Sequence, residues 1–219
     1  MFIGHYCAAF AARAHAPDAP KLGLLFLAAQ AVDIGFFTLL AGGIERVSHD
    51  ENIRGIMPII LEYMPFTHSL VATSIWAAGA FFLTKNLVFK GQAKPALIFA
   101  IVVASHWFLD LPVHRADLPI WGNEMKQGFG LWNFPIVAMI FELSLLWASI
   151  YYYIIKRGMA QISRPWFIGL LTFLLLAQAI NWFSPSASNV LQLSIMGIAA
   201  YLVAAYLALK SELRSPSRQ

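Results

Sequence analysis

The chain has 219 residues, of which 59% are hydrophobic and only 12% are charged, and its mean hydropathy is +0.67. This composition excludes a soluble domain of ordinary size and places the protein in a membrane. The net charge of +4 does not indicate a nucleic-acid partner, because the basic residues stand in short segments between apolar runs, where they act as topology signals. The single cysteine, Cys7, excludes an internal disulfide and any paired-cysteine zinc or redox motif.

The apolar N-terminal segment contains His5 and does not open with basic residues, so it lacks the pattern of a cleaved secretory leader. We expect a short helix that ends near Ala14 and turns before Pro20. A helical hairpin would follow, and a rise of about 1.5 Å per residue would bring His5 and Asp33 to nearly the same depth. The sequence therefore predicts that these two residues share a site.

Six apolar segments of about 20 residues are long enough to cross a bilayer about 30 Å thick. They are expected at 22–43, 66–84, 95–113, 133–155, 165–183 and 190–209. The predicted fold class is all-α, a polytopic membrane helical bundle of about six transmembrane helices plus the short N-terminal helix.

The basic residues divide unequally between the two faces of this bundle. The segments around 85–94 and 156–164 and the C-terminal tail carry most of them, whereas the longer loops 44–65 and 114–132 mix basic and acidic residues. By the positive-inside rule the lysine-rich face is cytoplasmic, so we expect a cytoplasmic C-terminus and outward-facing long loops.

The most informative stretch closes the third predicted span, where His106 and Asp110 stand four residues apart on one helix face. An ionised group in hydrocarbon costs about 2–3 kcal/mol or more unless it is paired or bound to a metal. A structural His–Asp pair is the simplest interpretation, and a functional site is the alternative that the other polar groups favour.

Further polar residues lie within or at the ends of predicted spans, namely His5, Asp33, His68, His114, Arg115 and Glu142. Taken singly, His68 could be an interfacial residue, and Asp33 and Glu142 could be hydrogen-bonded within the bundle. Taken together, histidines and carboxylates from different spans make a ligand set for a divalent metal, zinc first and manganese as the alternative. A zinc site with an open position activates water for hydrolysis.

Six strings of this chain carry a resemblance to a known family. They are MFIGH (1–5), QAVD (30–33), MPFTHSL (64–70), SHWFLD (105–110), HRADLP (114–119) and GLWN (130–133). Residues 1–158, which contain these six strings, resemble the bacterial membrane-bound metal-dependent hydrolases. The resemblance implies an inner-membrane protein with its metal site in 1–158, and we expect 159–219 to form a C-terminal helical hairpin that serves as scaffold within the same membrane domain.

The order His, Asp, His and then HxxxD is also similar to the ligand order of the soluble zinc-dependent phospholipase C and P1 nuclease group. That likeness implies one metal held by Asp33, His68, His106 and Asp110, with His5 nearby and sharing Asp110 with a second ion. The sequence departs from that group in its second His-and-Glu cluster, for which only His114 and Glu142 remain.

The leading hypothesis is an integral membrane metal-dependent hydrolase that acts on a lipid or lipid-linked ester or phosphoester near the outer leaflet. Asp33 or Asp110 would accept a proton, and Arg115 would hold a substrate phosphate or carboxylate by paired hydrogen bonds. A salt bridge from Arg115 to Asp117 or Asp110 is the alternative for that residue.

Other functions would use the same residues differently. A proton- or metal-ion-coupled transporter would use the His/Asp residues as a relay, which predicts polar groups through the full membrane depth rather than toward one side. A haem-binding redox subunit would use paired histidines as axial ligands, and a purely structural partner protein would need none of them.

Overall fold

A computed structural model describes residues 1–49, 59–184 and 189–212. Within these residues the chain forms eight α-helices and one antiparallel pair of short strands. The helices are α1 (Tyr6–His15), α2 (Leu22–Ala29), α3 (Ala31–Ala41), α4 (Leu70–Leu83), α5 (Ala93–Asp110), α6 (Pro135–Arg157), α7 (Arg164–Phe183) and α8 (Val190–Ser211), and the strands are β1 (Arg46–His49) and β2 (Ile59–Tyr63). The predicted all-α bundle is confirmed.

Five helices are long and apolar enough to cross a membrane, namely α4 with its extension to Val88, α5, α6, α7 and α8. A sixth span results if α2 and α3 are counted together, although they are bent by 49°. Each lies on a predicted segment, so the protein is a multi-pass membrane protein. Residues 50–58 of the predicted outer loop 44–65, and the tail beyond 212, lie outside the described residues.

The bend between α2 and α3 falls at Gln30, a polar residue in an otherwise apolar segment. Its side-chain amide donates to the carbonyl of Phe2 at 3.0 Å. Because α2 ends at this point, the Ala29 carbonyl belongs to a last helical turn, whose carbonyls lack partners within the helix. That carbonyl lies 3.1 Å from His106 Nδ1. The bend therefore supplies a backbone acceptor to a residue of the candidate site.

The short helix α1 turns one face into the interior of the bundle, since Tyr6, Ala9 and Phe10 have no exposed area. It packs against α2 and α6. Across the bundle, α2 and α8 approach closely at Gly23, where a Cβ atom would stand 2.6 Å from the Ala205 carbonyl oxygen. Small residues at such a contact allow two membrane helices to pack backbone to backbone.

The chain between α5 and α6 folds back over the N-terminus of α4. The amide groups of Leu70 and Val71 donate to the carbonyls of Pro119 and Ile120 at 3.0 and 3.2 Å. Those amides belong to the first turn of α4 and have no partner within the helix. The loop therefore completes that helix start and closes this end of the bundle, which we call the loop end.

The C-terminal helices α7 and α8 pack on each other, and α8 also packs against α2 and α3. The hairpin that begins after residue 158 thus lies against helices that carry site residues. The division of the chain into a metal-site part and a scaffold part stays a prediction.

Candidate metal centre

Six histidine and aspartate side chains meet at the loop end of the bundle. One directly precedes α1, one lies on α3, one lies two residues before α4, two lie in the last turns of α5, and one lies in the loop that follows α5. We call them the His/Asp cluster, and its members are His5, Asp33, His68, His106, Asp110 and His114. All six are more than nine-tenths buried, and His5 and Asp33 do lie together as the hairpin argument expects.

One part of the cluster surrounds a point between the two aspartates. His106 Nε2 lies 3.2 Å from Asp110 Oδ2 and 3.5 Å from Asp33 Oδ1. His68 Nε2 lies 3.3 Å from Asp33 Oδ1 and 3.9 Å from Asp110 Oδ2. Ligand atoms about 2.0–2.2 Å from a tetrahedral zinc ion are about 3.3–3.6 Å from one another. Three of these distances, 3.2–3.5 Å, are close to that spacing, and the distance from His68 Nε2 to Asp110 Oδ2 is longer.

The other carboxylate oxygen of Asp110 faces a second set of atoms. His5 Nε2 lies 3.1 Å from Asp110 Oδ1, and His114 Nε2 lies 3.6 Å from it. The main-chain nitrogen of Met1 is 2.7 Å from the same oxygen. The rings of His5 and His106 stack with centroids 3.8 Å apart. Asp110 thus stands between two groups of donor atoms.

Three of these histidines have a hydrogen-bond partner at Nδ1, on the side of the ring that faces away from Asp33 and Asp110. His106 Nδ1 contacts the Ala29 carbonyl at 3.1 Å, and His114 Nδ1 contacts Asp117 Oδ1 at 2.9 Å. A carbonyl or carboxylate oxygen only accepts, so in both residues Nδ1 carries the proton. His68 Nδ1 contacts the Thr67 hydroxyl at 2.9 Å. In a neutral imidazole with this tautomer, Nε2 is an unprotonated lone pair.

In the neutral imidazoles these Nε2 lone pairs point toward carboxylate oxygens, which also carry lone pairs. Among the described residues, His106 Nε2, His5 Nε2 and Asp110 Oδ2 have no hydrogen-bond partner. A buried polar group without a partner costs about 1–3 kcal/mol. Cations bound between the imidazoles and the carboxylates would satisfy these atoms, and His106 has the arrangement in which a metal-ligating histidine is held by an acceptor at its other nitrogen.

Burial keeps His5 and His114, which lie outside the spanning helices, in the form that binds metal. It lowers the pKa of His5 to about 4, and it lowers the pKa of His114 below the ordinary value for histidine. A metal binds the neutral imidazole, so no proton has to be displaced from these two side chains at neutral pH.

Tyr201 on α8 is a site residue that sequence reasoning missed. Its hydroxyl donates to Asp33 Oδ2 at 3.0 Å, which leaves Asp33 Oδ1 for the two histidines. The available signal was the position of this tyrosine in the interior of an apolar span, since membrane tyrosines ordinarily lie at the interfaces.

Glu142 contacts the N-terminal segment rather than the histidines. Its Oε2 atom accepts from the Phe2 amide at 3.4 Å, and Gln178 on α7 accepts from the Ile3 amide at 3.2 Å. Together with Gln30, these side chains hold the main chain that leads to His5. Their contribution to the site is therefore the placement of that segment.

Arg115 follows the cluster in the loop after α5. Its Nε donates to Asn133 Oδ1 at 2.8 Å, while Asp117 accepts from His114. Its role in binding a substrate anion stays a prediction.

No protein-family model, curated protein or solved structure matches this chain. The function therefore has to be inferred from the His/Asp cluster itself. That cluster could hold a metal ion in either of two overlapping groups of side chains, one formed by His5, Asp33 and His106 and the other by His68, His106 and Asp110.

Proposed function

We propose that the His/Asp cluster is a divalent-metal centre, zinc first and manganese as the alternative, and that the protein is a membrane metal-dependent hydrolase. The observation that carries the proposal is the orientation of His68, His106 and His114, each with Nδ1 bonded outward and Nε2 directed at an aspartate. Imidazole nitrogens with carboxylate oxygens suit zinc, and manganese accepts the carboxylates.

The proposed ligands would serve two ions. Asp33, His68, His106 and Asp110 would hold the first. His5, His114 and Asp110 would hold the second, and the Met1 nitrogen also lies 2.7 Å from Asp110 Oδ1. This division follows the distances, because each oxygen of Asp110 has its own pair of nearby imidazole nitrogens.

Metal ions bound here would supply a Lewis acid for an ester or phosphoryl oxygen and an activated water. Asp33 and Asp110 are the proposed proton acceptors, and Asp33 is the more accessible to water, since its side chain is 11% exposed and that of Asp110 is 1% exposed. The burial of Asp110 and of the histidines keeps bulk water from the rest of the cluster. Arg115 is the proposed anion-binding residue of the adjoining loop.

The position of the cluster supports a lipid or lipid-linked ester or phosphoester as the substrate. Asp33, His106 and Asp110 belong to α3 and α5, which are candidate spanning segments, so the substrate must be reached from the membrane or its surface. The basic residues at 85–94 and 156–164 occupy the opposite end of the spans from the cluster. By the positive-inside rule this arrangement favours an inner-membrane protein with a cytoplasmic C-terminus and a site toward the outer face.

Elemental analysis of the detergent-purified protein tests the proposal. We expect one or two zinc-like ions per chain in the wild type, and their loss in His106→Ala. His15→Ala is the matched control, because His15 is exposed and lies at the far end of α1. The metal-loaded protein should then hydrolyse lipid esters or phosphoesters, and His106→Ala should not.

Two results would contradict the proposal at different levels. A wild type that stays metal-free after reconstitution with zinc and with manganese would remove the metal centre and favour a proton-relay transporter. Stoichiometric metal without hydrolysis of either ester class would keep the metal centre and remove the hydrolase.

A further inference from the structure

Glu45 is a buried carboxylate that the His/Asp cluster does not include. It lies between α3 and β1 and is 1% exposed. Its Oε1 accepts from the amides of Phe66 and Thr67 at 2.9 and 3.1 Å, and its Oε2 accepts from the Thr67 hydroxyl at 2.7 Å. All three donors belong to the short segment that places His68.

The hydrogen bond to Glu45 determines what the Thr67 hydroxyl can do on its other side. A hydroxyl has one proton, and that proton is directed at Glu45. The same oxygen lies 2.9 Å from His68 Nδ1, so it accepts there and the proton of the bond belongs to Nδ1. His68 Nε2 is then the lone pair that faces Asp33 Oδ1 at 3.3 Å.

His68 differs in this respect from the other two histidines with a bonded Nδ1. His106 and His114 are held by a carbonyl and a carboxylate, which can only accept. The partner of His68 is a hydroxyl, which can donate or accept. A second group is therefore needed to set its direction, and Glu45 occupies that position.

We propose that Glu45 is a positioning residue for the metal centre. Through Thr67 it sets the tautomer and the ring orientation of His68, so that Nε2 is free to bind metal. The inference rests on the proposed function in that a metal is the group that His68 Nε2 binds.

Glu45→Gln tests this chain of hydrogen bonds without removing volume. The amide oxygen of glutamine can still accept from the two main-chain amides, while its NH₂ group faces Thr67 and donates. The Thr67 hydroxyl would then donate to His68 Nδ1, and the ring proton would move to Nε2, where it blocks the ligand position. We expect zinc affinity, measured by competition with a chromophoric chelator, to fall by about 10–100-fold.

Three further variants separate positioning from a general structural effect. Glu62→Gln is the matched control, because Glu62 is an exposed acid on β2. Thr67→Ser keeps the hydroxyl and should bind zinc with wild-type affinity. Thr67→Val removes the hydroxyl and should weaken zinc binding as Glu45→Gln does. A folded Glu45→Gln protein with wild-type zinc affinity would overturn the inference, and so would Thr67→Ser binding as weakly as Thr67→Val.

Nitrogen-15 NMR of the histidine rings in metal-free protein gives a readout that is independent of metal. We expect a hydrogen-bonded proton on His68 Nδ1 in the wild type and its loss in Glu45→Gln. If the wild type binds no zinc but the proton moves in this way, the proposed function fails and the role of Glu45 stands. If the wild type binds zinc and the ring proton is on the same nitrogen in both proteins, the role of Glu45 fails and the proposed function stands.

Discussion

Two groups of buried polar residues lie at opposite ends of α1, and each also contacts α8 or the residue that follows it. At one end is the His/Asp cluster, with His5 at the start of α1 and Tyr201 on α8. At the other end Arg13 Nε meets Glu212 Oε1 at 2.6 Å, and Glu212 Oε2 accepts from the Leu22 amide at 2.8 Å. We call the second group the Arg13–Glu212 network.

The two groups differ in whether the chain supplies every partner. In the network, Arg13 also donates to the Ala19 carbonyl and the Tyr153 hydroxyl donates to Glu212. Among the described residues, none of its fully buried side-chain nitrogen or oxygen atoms lacks a partner, whereas the cluster leaves such atoms of His5, His106 and Asp110 unpaired. We therefore interpret the Arg13–Glu212 network as structural and the His/Asp cluster as a site that requires a ligand.

The largest expected effect is that of Asp110→Asn on metal binding. Asp110 faces both groups of imidazoles, so its replacement should abolish stoichiometric metal binding. The loss of metal affinity should exceed the roughly 100-fold that is lost when a residue hydrogen-bonded to a metal ligand is replaced. The amide can donate to His106 Nε2, so the thermal midpoint of the metal-free protein should not fall. Asp18→Asn, at an exposed aspartate, is the control for elemental analysis; retained metal in Asp110→Asn would contradict the assignment.

Arg13→Ala should have the reverse pattern. It leaves the Glu212 carboxylate buried without its cation, which should lower the free energy of unfolding by about 3–5 kcal/mol, measured by denaturation in mixed micelles. Metal content should be unchanged. Lys94→Ala breaks an exposed pair with Asp18 and should cost only about 0–1 kcal/mol. Loss of metal in a folded Arg13→Ala protein would mean that the two ends of the bundle are coupled.

Removal of metal by a chelator should lower the free energy of unfolding of the wild type by about 2.7 kcal/mol relative to protein with free metal at 100 times its dissociation constant. Arg13→Ala should lose the same increment, because distant sites contribute additively. Asp110→Asn should lose none of it. An equal chelator effect in all three proteins would show that the chelator acts elsewhere.

The smallest expected effect is that of Tyr201→Phe, which removes the hydroxyl that donates to Asp33 Oδ2. Zinc affinity should fall by about 10-fold, the lower end of the range for outer partners of metal ligands. Tyr206→Phe, at an exposed position of the same helix, is the control for the same titration. Equal affinities in the two variants would remove Tyr201 from the site.

Sequence reasoning could find those residues whose side-chain type is unusual for their place in the chain. An aspartate or histidine inside an apolar span is expensive wherever the span packs, so Asp33, His106 and Asp110 were visible as candidates before any fold was known. Glu45 was not visible, because an acid in a loop is ordinarily solvated. The hydrogen-bond partners of Tyr201 and Glu142 also depend on how the helices that carry them pack, so the sequence did not indicate them.

The sequence by itself determined the membrane class, the positions of the spans and the residue types available to a metal, because hydropathy and the cost of buried charge depend on local composition. Only the tertiary structure decided how those residues are oriented. The bend at Gln30 exposes the Ala29 carbonyl to His106, and the tertiary packing brings Glu45 to Thr67. The ring orientation of His106 depends on Ala29 and that of His68 depends on Glu45 through Thr67, and these partners are distant along the chain, so no local pattern could have specified them.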